Sequence, residues 1–202
     1  MTTTLVRYLT CANTAKLVRK ALKREFPGQK FSVRSDVYSG GASIDVRWTD
    51  GPRPADVDPV VKQFAGGRFD GSIDLAYSVT HYLRPDGEAM VERNPGTIGR
   101  MGSDPGYSNE HLADLMPEGV EVVHFAADYV FTHREVSDYQ ADKDAAIAWL
   151  YANTNGDATY TGDPNRDRFG NRWIDGIANM MVHDSIKGED WQTAFDRLYH
   201  PY

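Results

Sequence analysis

Cysteine is nearly absent: Cys11 is the only one in 202 residues. No disulfide framework can form, and a reducing compartment is the natural setting for such a chain. Long apolar runs are missing as well. Nothing approaches the roughly 20 apolar residues of a membrane-spanning helix, and the opening MTTTLVRYLT lacks the apolar centre of a signal peptide. There is no HExxH, CxxC or HxH spacing, no GxSxG and no Walker loop. No repeat period is visible. These absences remove secreted disulfide scaffolds, membrane proteins and the recognisable hydrolase and nucleotide-binding motifs, and they imply a soluble, cytoplasmic protein that needs no cofactor and engages no membrane.

The remaining composition is that of an ordinary globular chain, with 41% hydrophobic and 25% charged residues. The net charge of −7 is unevenly spread. Residues 1–83 hold 12 basic against 8 acidic residues, a net of +4, whereas residues 84–202 hold 10 against 21, a net of −11. Such asymmetry supports a two-part organisation, argues against a protein that coats nucleic acid everywhere, and leaves room for one local contact by the basic half.

Ala15, Val18, Ala21, Leu22 and Phe26 recur at helical spacing, so a helix capped by Asn13 or Thr14 is expected to run to about Phe26, where Pro27-Gly28 stops it. FSVRSDVY and ASIDVRW alternate with period two on either side of Gly40-Gly41 and predict a hairpin whose diglycine supplies positive φ. Pro54 suits the first turn of a helix ending near Phe64. FDGSIDLAYSVTHYL then reads as one long third strand, with Phe69, Ile73, Leu75, Tyr77 and Val79 on its apolar face.

The expected fold is therefore α+β. An α-β-β-α-β module with a small antiparallel sheet occupies residues 1–83, a Gly/Pro-rich connection with a short helix at NEHLADLM spans 84–118, and a mainly helical acidic region fills 119–202. In that last region VEVVHFAADYVF reads as a strand, or a strand running into a helix. Trp173, Ile177, Met180, Met181, Trp191, Phe195 and Leu198 are expected to pack together.

Several groups could carry chemistry, each with a plainer reading beside it. Asp163, Asn165 and Asp167 alternate as calcium-loop ligands do, but Pro164, Arg168 and the missing closing glutamate break the pattern, and a capped polar loop explains them equally well. Asp45, Asp70 and Asp74 are expected on one solvent-side sheet face, where carboxylates could do metal or acid–base work; any one-sided sheet also alternates this way. His111, His124, His133 and His183 have no metal-ligand spacing. Lys16, Arg19, Lys20, Lys23 and Arg24 on the first helix, with Lys30, Arg34, Tyr38 and Trp48, could contact a phosphate backbone or stack a base, or simply face solvent.

One resemblance goes further. Phe26-Pro27-Gly28, Lys30 to Ser35, Tyr38 to Ile44, Val46, Trp48 to Pro52, Phe64, and Phe69 to Asp74 together resemble the large polyvalent protein associated domains, in particular the one numbered twenty-nine, over residues 14–80. These are modules of phages and conjugative elements, often fused to anti-restriction, nuclease or DNA-processing domains, and the family brings no established catalytic residues. The resemblance implies a non-enzymatic accessory protein in the cytoplasm of a host bacterial cell, binding a host macromolecule in an anti-defence or DNA-transfer role. A defence-system protein is the expected partner, with local nucleic-acid contact by the basic half. The alternative is a small metal-dependent hydrolase or nucleic-acid-processing enzyme using Asp45, Asp70 and Asp74, or a histidine from the second half.

Overall fold

The computed structural model describes residues 6–92, 118–154 and 160–199, without the side chains of 90–92. The helix expected at NEHLADLM lies outside the described residues, as does His111. The fold class is α+β, with a strand-rich N-terminal part and a helical C-terminal part. The chain divides into two compact units, residues 1–47 with 57–133 and residues 48–56 with 134–202.

In the first unit, β1 (Arg7–Leu9) leads directly into α1 (Cys11–Glu25). Thr10 caps the helix: its extended backbone and its hydroxyl, which accepts from the Asn13 N–H, do what Asn13 or Thr14 was expected to do, so the helix starts a turn earlier. α1 buries Cys11, Thr14, Ala15, Val18, Ala21 and Leu22 in one stripe, and Lys23 and Arg24 sit favourably at its negative end. The helix packs against β2 (Ser32–Tyr38), which pairs antiparallel with β3 (Gly41–Thr49). The expected hairpin is present, with Arg34 opposite Asp45 and Val33 opposite Val46. Cys11 is buried, and its thiol donates to the Ser43 carbonyl at 3.3 Å; burial pushes its pKa up, which suits an inert core residue.

α2 (Pro54–Lys62) buries Val57 and Val61. The long third strand is corrected: the segment forms a second hairpin, β4 (Gly67–Asp70) and β5 (Leu75–Ser78), followed by a separate short strand, β6 (His81–Leu83). Asp70 accepts from the Ser72 N–H at 2.9 Å and Asp74 adopts φ +52°, local features that favour reversal over extension. The register pairs Phe69 with Ala76 and Asp70 with Leu75, which puts Phe69 and Leu75 on opposite faces. Alternation read straight through the turn therefore described no single surface. Phe69 is 59% exposed and Ile73 57% exposed.

β6 belongs to a four-stranded sheet with β7 (Ala89–Glu92) and β8 (Glu121–Phe125), in the order β1-β8-β6-β7, β1 running parallel to β8 and the other pairs antiparallel. β9 (Tyr129–Glu135) joins the first hairpin to give the order β2-β3-β9. Phe64, Phe125 and His81 meet in the core, with ring centroids 5.6 Å and 5.0 Å apart.

The second unit contains α3 (Tyr139–Asn153), the short hairpin β10 (Arg168–Phe169) and β11 (Arg172–Trp173), α4 (Ile174–Asp184) and α5 (Trp191–Tyr199). α3 packs on α4, and α4 on α5. Ile177, Met181 and Phe195 are in its core, and Met180, Trp191 and Leu198 line it as expected. Trp173 does not: it is 44% exposed, held under the Arg168 guanidinium at 3.7 Å. Among the described residues, no helix is long and apolar enough to cross a membrane.

Candidate macromolecule-binding face

The basic residues of α1 are partly committed to holding the fold. Arg19 donates to the Val33 carbonyl at 2.6 Å, tying the helix to β2, and Lys20 donates to the Asp86 carbonyl. Lys16 bonds Asn13 at 3.1 Å, and Arg24 pairs with its neighbour Glu25 at 2.7 Å. Lys23 and Lys30 are exposed. Trp48 is 3% exposed and its indole N–H donates to the Pro52 carbonyl at 2.8 Å, so it offers no ring to a base. Of the seven basic residues expected to touch nucleic acid, Arg34 is the one that stands on an open sheet face.

That face is the water side of β2-β3-β9. Val33 and Val46 turn inward, so strand alternation sends Arg34, Asp36, Asp45 and Arg47 outward. Ser32, Arg34, Ser35, Asp36, Asp45 and Arg47 line an open groove of about 610 Å³. His133 Nε2 lies 3.3 Å from an Asp45 carboxylate oxygen, which brings β9 onto the same surface. Alternation along β9 then puts Phe131 and Tyr129 beside His133. The two rings stack on each other, 5.8 Å between centroids and 22° between planes, yet remain 46% and 41% exposed. Arg47 reaches Asp45 only at 3.9 Å, and Arg34 has no ion-pair partner among the described residues.

The aspartates proposed for catalysis are not brought together. Asp45 lies in the β2-β3-β9 sheet, whereas Asp70 and Asp74 flank the tip of the β4–β5 hairpin, a different sheet. Asp70 accepts from both the hydroxyl and the N–H of Ser72, and these bonds hold its carboxyl below the usual range. Among the described residues, no group of three or more His, Cys, Asp or Glu is placed to hold a metal.

The acidic loop is a capping device. Asp163 accepts from the Asn165 N–H at 3.0 Å and pairs with Arg166 at 3.3 Å. Asp167 is buried, and its two oxygens accept from the Thr161 N–H and hydroxyl, the Gly162 N–H and the Tyr151 hydroxyl, all within 2.7–2.8 Å. Burial alone raises this carboxyl's pKa; the hydrogen bonds from Thr161, Tyr151 and Gly162 outweigh it and bring it to about 2. Those donors occupy the oxygens a cation would need.

The histidines are dispersed. His124 Nδ1 is 3.1 Å from the Val79 carbonyl, and the His183 ring packs against Tyr139 at 5.4 Å. His81, buried in the core, was not singled out in the sequence; burial first, then the charges of Arg68 and His124, push its pKa down to about 4.

Sequence reasoning misses Tyr129 and Phe131 as site residues, because VEVVHFAADYVF reads as a strand or a strand running into a helix, and it names His133 only among the histidines without metal-ligand spacing. The signal was present, since aromatic residues two apart, as Tyr129 and Phe131 are, share one face of a strand. A scan against protein-family models matches residues 9–137 to large polyvalent protein associated domain 29, a longer span than the motifs alone outlined. A comparison with curated proteins and one with solved structures each gave no match.

Proposed function

Since the chain belongs to the large polyvalent protein associated domain 29 family, we propose that it is a non-enzymatic accessory protein that binds a host macromolecule through the open face of β2-β3-β9. Membership makes it a phage- or mobile-element-associated protein. The proposed role is anti-defence or DNA transfer in the cytoplasm of the host bacterial cell.

One observation carries this reading: two stacked, half-exposed aromatic rings and an exposed arginine, Arg34, which has no ion-pair partner among the described residues, share a sheet face inside the matched domain. Exposed aromatic and arginine side chains are the residue types that dominate binding energy at interfaces. The aspartates offered for hydrolysis are spread over two sheets, which favours binding over the hydrolase alternative.

The test is capture from host lysate at low salt by the wild type beside the Arg34→Glu and Phe131→Ala variants. A partner held by the wild type and lost from both variants supports the reading. An empty capture, or an identical set on all three proteins, refutes it.

A further inference from the structure

We propose that the ligand of this face is single-stranded nucleic acid, an assignment that rests on the face being the binding surface. Tyr129 and Phe131 stand two residues apart on β9, and successive outward side chains on a strand are about 6.6 Å apart. The two rings lie 5.8 Å apart and stack on each other, so their outer faces on the open sheet can take unpaired bases, and this stacking accepts any base because every base has a π face. A duplex keeps its bases stacked on one another and has none to offer these rings.

Arg34 and Arg47 lie on the neighbouring strands of the same face, where a phosphate backbone crossing the sheet would run. Residues 1–47 hold 9 basic against 3 acidic residues, a net of +6, with five of the basic residues on α1 and Arg34 and Arg47 on the face itself. Asp45, held by His133, stands opposite Arg34 and two residues from Arg47, and Asp36 follows Arg34 along β2. These carboxylates can accept from the exocyclic amino groups of unpaired bases, so the face combines stacking, phosphate and base-edge contacts.

The experiment measures fluorescence anisotropy of labelled 12-nucleotide oligo(dT), oligo(rU) and a mixed-sequence duplex with the full chain, across a salt series. The wild type is expected to bind the single strands at least tenfold more tightly than the duplex. Tyr129→Ala and Phe131→Ala are each expected to weaken single-strand binding about tenfold. Arg34→Gln is expected to reduce the slope of log affinity against log salt by about one. Thermal melting of each variant is expected to stay within a few degrees of the wild type, since these positions are exposed.

Failure to bind single strands at 50 mM salt overturns the proposal, as does binding that survives both aromatic substitutions in folded protein. If the lysate capture still depends on Phe131 while oligonucleotides neither bind nor compete, the ligand assignment falls and the binding face stands. If capture and oligonucleotide binding both fail, both fall.

Discussion

Gly41 and Asp128 touch across 86 residues of chain. The Asp128 carboxylate accepts from the Ala42 N–H at 2.9 Å, and its own N–H donates to the Ala42 carbonyl at 2.8 Å. A Cβ at position 41 would lie 2.2 Å from that carboxylate, and Gly41 has φ +156°. The second diglycine converges on the same loop. Gly66 and Gly67 donate to the Ala127 and Asp128 carbonyls, and a Cβ on Gly66 would lie 1.9 Å from the Phe125 carbonyl oxygen. Gly41, Gly66 and Gly67 therefore clear space for the 125–128 segment, beyond any role in their own local turns.

Gly41→Ala should cost about 1–3 kcal/mol, since a side-chain carboxylate can shift only by giving up its bond to Ala42. Gly66→Ala should cost more, because the opposing atom is backbone. Denaturant titration of each, and of Gly41→Ala with Asp128→Ala, checks this. The double variant should lose less than the sum of the singles.

His81 links stability to pH. Its folded pKa of about 4 lies below the unfolded value near 6.5, so its contribution is fully present above pH 6.5. As pH falls from about 6.5 towards 4, the unfolded chain takes up a proton that the folded chain refuses, and roughly 2–3 kcal/mol should be lost. Urea midpoints measured from pH 7.5 to 4.5 should fall less steeply for His81→Leu than for the wild type. Parallel curves would refute the assignment.

Asp167 behaves oppositely to a metal ligand. Asp167→Ala should lower the melting temperature by several degrees, while Asp163→Ala changes it little, because Asp167 alone anchors four donors. Millimolar Ca²⁺ or EDTA should leave the wild-type melting curve unmoved. A folded pKa of about 2 lies below the unfolded value, so this stabilisation is present above the unfolded pKa and declines as pH falls towards 2.

Arg197 ties α5 to the end of α4, donating to the Asp184 carbonyl at 2.6 Å and pairing with Asp184 and Glu189. Arg197→Ala should cost about 2 kcal/mol, within the range between exposed and buried ion pairs, and should be read by thermal melting. A loss that disappears in 1 M salt would indicate a purely screened surface interaction instead.

Much of the fold was legible because its signals are local. The apolar stripe of α1 repeats every three or four residues, the β2–β3 strands alternate around their turn, and Pro54 opens α2. The rare residues of YSGGASI, WTDGP and FDGSID identified the family, and its match extends to residue 137. The site was less legible. Arg34 was named, but Trp48 is buried, and Phe131 and Tyr129 drew no attention on a segment that could have begun a helix.

Sequence by itself determined which stretches are amphipathic, where the chain turns and to which family it belongs, since each depends on neighbours within a few positions. Tertiary structure decided that β1 pairs with β8, that β9 completes the first sheet, and that three glycines make room for one distant turn. Those outcomes depend on complementary shape and hydrogen bonding between segments up to 116 positions apart, such as Arg7 and Val123, which no local period encodes.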